Sequence, residues 1–225
     1  MTQRRLAGAA VASAILLAGV AAAAKPPSTW DGLVLVGSKR LDLVYLQPGA
    51  DFRGYSKVML DPTEVAFHKN WQRDHNSSSR SLSSRVSDRD VQKAVSAGVT
   101  AASDIFTEAW SKAGYEVVAT PGPDVLRVKT GVINVTVNAP DMPSAGITYS
   151  FADEAGSATL FIEARDSVTG ALLGRAVDQR VAGDNTIGQR TRGTNRDDFR
   201  DLVEEWATIS VRGMTELKEL SPVQP

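Results

Sequence analysis

Ala158-Thr159-Leu160-Phe161-Ile162-Glu163-Ala164-Arg165, then Asp166-Ser167-Val168-Thr169-Gly170, then Leu172 to Val181, is the stretch that decides the fold. Leu160, Ile162 and Ala164 alternate with Thr159, Phe161, Glu163 and Arg165, the period of a strand with two unlike faces. Asp166 to Gly170 reads as a turn, with glycine where a positive φ is needed. Leu172 to Val181 is expected to return as the antiparallel partner.

Upstream, Val125 to Val137 carries Val128, Val132, Val135 and Val137 and reads as a longer strand or a pair. Tyr115 to Ala119 is a shorter strand, separated from it by Pro121-Gly122-Pro123. Tyr55 to Phe67 suggests two strands, with Val58 and Leu60 before a break at Asp61-Pro62 and Val65 and Phe67 after it. Proline lacks the donor that a central strand requires. Leu41 to Leu46 is a further strand, closed by Pro48-Gly49.

Two long helices flank these strands. Ser87 and Asp90 form a capping pattern, Gly114 supplies a stop, and Val91, Val95, Val99, Ala102, Ile105, Phe106 and Ala109 recur at helical spacing. The second helix is expected to start near Thr194 or Asn195, with Asp197 and Asp198 in its first turn. Its stripe is Phe199, Leu202, Val203, Trp206, Ile209, Met214 and Leu217, and Pro222 lies beyond it. Each stripe covers one side only. The expected fold is α+β: a two-layer sandwich, a mainly antiparallel sheet with two long helices packed on one face. The serine-dense segment Asn76 to Ser84 is expected to be a surface loop.

The N-terminus reads as an export signal. Arg4 and Arg5 give a cationic start, Leu6 to Ala24 is uncharged, and Ala21 to Ala24 offers the small side chains a signal peptidase needs. Cleavage after Ala24 is favoured over a retained anchor, because alanine contributes little to membrane insertion. The resulting division is a signal over residues 1–24, an extended arm over 25–40, a single α+β domain over 41–220 and a tail over 221–225. The mature chain is expected in the periplasm or secreted, without an integral span.

Among the 225 residues there is no cysteine. Lipid anchoring through a cysteine, disulfides and thiolate metal sites are therefore excluded. With 25 basic and 26 acidic residues, the chain lacks the basic excess of a nucleic-acid binder.

Few residues suggest chemistry. His68 and His75, with Asp74, could supply a two-histidine, one-carboxylate metal site. Their spacing of seven is wider than helical ligand pairs use. No nucleophile elbow or phosphate loop is present, and no cofactor is expected. Arg175, Arg180, Arg190, Arg192, Arg196 and Arg200 crowd the return strand, the Gly183–Gly193 loop and the last helix. Asp178, Asp184, Asp197 and Asp198 stand beside them, so a salt-bridged surface competes with an anion or partner patch built on Arg180, Arg190, Arg192 and Arg196. Trp110 and Trp206 fit helical core stripes, and Trp30 and Trp71 are also expected to pack.

Several segments taken together carry a resemblance. They are Tyr45-Leu46-Gln47-Pro48-Gly49-Ala50-Asp51 with Tyr55 to Pro62, Asn138-Ala139-Pro140-Asp141, Ala155 to Leu160, the Arg165–Gly170 turn with Val177-Asp178-Gln179-Arg180, and Trp206-Ala207. Over residues 30 to 220 the chain resembles DUF3313, a bacterial exported family of unknown function. The resemblance implies an envelope protein. Members are often described as lipoproteins, a pattern from which this cysteine-free chain departs.

The functional expectation is a non-enzymatic envelope interaction or binding module that meets another envelope component through a loop-rich face. The alternatives are a small hydrolase or metal-dependent enzyme using His68, Asp74 and His75, and a carrier with a pocket between sheet and helices. N-terminal sequencing of protein from native cells should begin at Lys25 or within a few residues of it. Met1 or Thr2 would contradict the signal reading.

Overall fold

The computed structural model describes residues 25–79, 82–137, 150–152, 156–183, 188–190 and 192–224. The expected signal, Asn138–Asp141 and Ala155 of the resemblance, and Asp184 lie outside them.

Strands β1 (Thr29–Trp30) and β2 (Leu33–Val36) form a hairpin, and β2 pairs with β3 (Leu43–Leu46). The expected arm is therefore extended but built into the sheet. Asp31 (φ 50°) and Gly32 (φ 85°) make the two-residue turn, both in the left-handed region that suits hairpin twist. Leu33 is fully buried, and the Tyr45 hydroxyl donates to the Pro27 carbonyl at 2.9 Å.

Strands β4 (Lys57–Leu60) and β5 (Glu64–Phe67) follow, interrupted at Asp61-Pro62 as expected. Next come helix α1 (Trp71–Ser78), a 3-10 turn at Leu82–Ser84, and helix α2 (Asp88–Lys112). Helix α1 occupies part of the segment expected to be a loop. Trp71 anchors it, stacking between Phe67 and His75 and donating its indole N–H to Val137. The hydroxyls of Ser77 and Ser78 bond back to carbonyls three residues earlier. That pattern reads as polar and aperiodic in sequence. Helix α2 starts with the expected capping box, Ser87 and Asp90 each accepting from the other's backbone N–H. Gly114 follows its end at φ 89°.

Strand β6 (Glu116–Val117) leads to β7 (Val125–Val137), a single strand of 13 residues. Its register shifts between Ile133 and Thr136, around Asn134 at φ 54°, a bulge that asparagine tolerates. The hairpin of β9 (Gly156–Asp166) and β10 (Leu172–Ala182) is present as read. Its turn is held by the Asp166 carboxylate, which accepts from the N–H groups of Val168 and Thr169. Two short strands, β8 (Ser150–Ala152) and β11 (Gly188–Arg190), pair separately. Helix α3 (Arg192–Leu220) begins two to three residues before the expected start, which moves Asp197 and Asp198 out of its first turn.

The nine-stranded sheet runs β1-β2-β3-β10-β9-β7-β4-β6, with β5 also on β7. Pairs from β1 to β7 are antiparallel, and β4, β5 and β6 join in parallel. The parallel pairs follow from the α2 crossover, since only a long connection returns a strand in the same direction. The fold is thus α+β, with α2 and α3 side by side on one sheet face. Ile105 and Phe106 of α2 and Leu202, Val203 and Trp206 of α3 pack there against Val132 and Leu160. No helix among the described residues is long and apolar enough to cross a membrane.

Candidate functional site

The two halves of α3 meet the sheet differently, and side-chain size is the cause. Its first half places Trp206, fully buried, against the sheet. Its second half presents Ser210 and Gly213 over Ala164, Gly174 and Ala176, all small. The unfilled space is a cleft of about 500 Å³. Phe52, Trp110, Leu126, Val128 and Met214 form its floor, and all five are buried. The mouth lies between the β2–β3 loop and the end of α3, at Lys39, Arg40, Glu216 and Leu220. A Cβ added at Gly213 would meet no atom within 4 Å, and one at Gly174 would meet Leu46 Cδ2 at 3.0 Å. Gly174 must therefore stay small for β3 and β10 to pair, whereas Gly213 is small over open space.

The C-terminal residues hold the floor in place. The Ser221 hydroxyl accepts from the Phe52 N–H at 2.9 Å, and Val223 exchanges backbone bonds with Gly49 and Ala50. Trp110 stands edge-on to Tyr115 with ring centroids 5.0 Å apart, and its indole N–H is buried without a hydrogen-bond acceptor. Lys218 lies 4.7 Å over the Tyr115 ring.

A hydrogen-bond network centred on a buried carboxylate borders the cleft at Arg40 and Leu41. The side chain of Asp178 on β10 is 4% exposed. It accepts from the Trp206 indole N–H at 2.8 Å, the Asp42 backbone N–H at 3.0 Å and Arg180 Nε at 2.6 Å. Arg180 also bonds Glu205 of α3 and donates to the Arg40 carbonyl at 2.8 Å. Asp42 in turn accepts from the Gln179 N–H at 2.9 Å. Sheet, helix and mouth loop are thereby joined at one point. Burial works to lower the Arg180 pKa, but the Glu205 and Asp178 carboxylates overcome it and hold the guanidinium above its ordinary value.

Of the four arginines of the expected patch, Arg180 and Arg196 have described side chains. Arg180 has the internal partners just described. Arg196 is exposed in the second turn of α3. The side chains of Arg190 and Arg192 lie outside the described set. Arg175 belongs to the opposite sheet face, where it lies 4.6 Å over the Trp30 ring and pairs with Asp31 and Glu163. Arg200 pairs with Glu204 one turn along.

That opposite face is a ladder of paired charges: Arg127–Asp61, Lys129–Glu64, and Glu163 between Arg165 and Arg175. Burial pushes the Glu163 pKa up, and the two guanidiniums overcome that push and hold it below the ordinary glutamate range. Trp30 packs edge-on against Tyr45 and Phe161. All four tryptophans thus pack, as their sequence contexts suggested.

The structure does not draw His68, Asp74 and His75 into one site. His68 is exposed, Asp74 pairs with Arg73, and the His75 ring stacks on Trp71 with Nε2 3.3 Å from the Ser84 carbonyl. No group of three histidine or carboxylate side chains placed to hold a metal occurs among the described residues.

Comparison with known proteins gives a family and distant likenesses. The family model of DUF3313, protein of unknown function, matches residues 36–209. No curated protein matches the chain. Among solved structures, a PelC dodecamer from Paraburkholderia phytofirmans is 12% identical, covering 73% of this chain and 94% of that one, with a TM-score of 0.35. A DUF330 protein from Xanthomonas campestris is 10% identical, covering 76% and 88%, with a TM-score of 0.42. A neuraminyllactose-binding hemagglutinin homolog from Helicobacter pylori is 9% identical, covering 77% and 95%, at 0.34.

The arrangement predicts the effect of removing the buried carboxylate. Asp178→Ala leaves the Trp206 N–H without its acceptor and Arg180 without its most buried partner. Stability measured by urea unfolding should fall by roughly 3–5 kcal/mol, the scale for breaking a buried pair. A loss below about 1 kcal/mol, as at exposed ion pairs, would show that Asp178 does not hold the helix.

Proposed function

We propose that this chain, which belongs to the DUF3313 family, is a non-enzymatic binding module of the cell envelope whose recognition site is the cleft under α3. Residues 1–24 act as its export signal, and the folded part works outside the inner membrane. The single observation that carries the binding reading is the cleft itself. Its volume of about 500 Å³ falls within the ~300–1,000 Å³ of small-ligand sites, which are concave, largely apolar and pre-formed. Its shape follows from side-chain size, and its floor is fixed by the C-terminal residues and the Asp178 bonds, so little ordering is required when a ligand enters.

The polar groups near the cleft support binding rather than turnover. Arg40 and Glu216 at the mouth form an ion pair at 3.4 Å, and Ser210 donates to a carbonyl of its own helix. The charged face on the other side of the sheet is internally paired and gives a solvated surface.

Titration of the purified mature protein with the neutral fluorophore N-phenyl-1-naphthylamine tests the reading. Saturable binding at one site per chain is expected. Gly213→Leu should abolish it by filling the cleft. That variant replaces a poor helix former, so its unfolding midpoint should not fall. Absence of saturable binding, or binding unaffected in Gly213→Leu, would overturn the reading.

A further inference from the structure

The cleft is apolar within and cationic at its mouth, and that polarity defines a ligand class. Lys39 is exposed and has no ion pair among the described residues. Arg40 beside it is held by its backbone carbonyl to Arg180, while its side chain reaches Glu216 at 3.4 Å. The Arg40 and Glu216 side chains are 45% and 55% exposed. An ion pair this open is weak, so a second carboxylate can compete for Arg40. Lys39 and Arg40 against Glu216 leave the mouth with one excess positive charge. The negative end of the α3 dipole is blunted, because Ser221 donates its hydroxyl to the Leu217 carbonyl at 2.6 Å and its N–H to Lys218 at 3.4 Å.

Size narrows the class further. A liquid water occupies ~30 Å³ and a methylene a similar volume, so the cleft accommodates on the order of 15 such groups. That is room for one acyl chain and not for two. Each methylene removed from water adds to the affinity, so a chain of ordinary length suffices for firm binding.

We infer that the ligand is a single-chain anionic amphiphile, its chain between Ala176 and Met214 and its head group at Lys39 and Arg40. The inference rests on the binding reading above and deepens it. A free fatty acid and a lysolipid-type anion share this chemistry, and each would place its charge at the same two residues. Neutral and cationic amphiphiles of equal chain length lack the head-group attraction.

Displacement of N-phenyl-1-naphthylamine tests the inference, using laurate, dodecanol and dodecyltrimethylammonium below their aggregation limits. Laurate should displace the dye at a concentration about tenfold below that of the cationic amphiphile, with dodecanol between them, and added salt should narrow the gap. Lys39→Glu, at an exposed position, should remove laurate's advantage over dodecanol, with displacement by each read against the variant's own dye affinity. Equal displacement by all three, a preference for the cation, or an unchanged laurate preference in Lys39→Glu would overturn the inference while leaving the cleft a binding site. Failure of the dye to bind at all would instead remove the reading on which the inference rests. Repeating the titration with a lysophosphatidic acid of the same chain length distinguishes the two sources of the anion. A preference for either supports the shared chemistry, and displacement by neither refutes it.

Discussion

Asp178 is a carboxylate almost removed from water, and it accepts hydrogen bonds from α3, from the segment before β3 and from its own strand. An ionised group at such a site is costly unless its lone pairs are met by good donors. Trp206, Asp42 and Arg180 meet them. The consequence is geometric more than energetic. The indole of Trp206 cannot slide along the sheet without abandoning its acceptor, so the position of α3 is set at one point along its length. Beyond that point the helix is carried over residues too small to reach it.

The cleft is thus a product of two features acting together. A fixed helix without small residues beneath it would give a packed core, and small residues beneath an unfixed helix would let the helix collapse inward. Protein interiors close most voids of this kind, because an unfilled space forfeits dispersion contacts on all its walls. Here the buried hydrogen bonds at one end and the docked C-terminal residues at the other hold the walls apart. The mouth inherits its charge from the same network, since the bond from Arg180 to the Arg40 carbonyl fixes the loop carrying Lys39 and Arg40.

Much of the architecture was legible in sequence. The hairpin was visible because Leu160, Ile162 and Ala164 alternate with the unlike set Thr159, Phe161, Glu163 and Arg165, and α2 because Ser87 and Asp90 bracket its start. Helix α1 was missed because its stability comes from one docked tryptophan and back-bonded serines, neither of which leaves a period. The β1–β2 hairpin had a usable signal in Asp31-Gly32, overshadowed by the prolines and serine before it. The cleft was foreseen only as a generic space between sheet and helices. Its location depends on Gly174 and Ala176 lying beneath Ser210 and Gly213, positions distant in sequence that only the sheet order and the helix docking bring together. Arg180 illustrates the converse. Its neighbours suggested an outward-facing cation, yet strand parity turns it toward α3, where it completes the bonding of Asp178.

The claim on which the account stands is that an apolar chain enters beneath α3. A crystal structure of the protein with dodecanoate brominated at its terminal carbon tests it directly through the anomalous signal of bromine. The account predicts a single peak between Ala176 and Met214. A peak on the opposite sheet face beside Trp30, or no ordered bromine at saturating ligand, would contradict it.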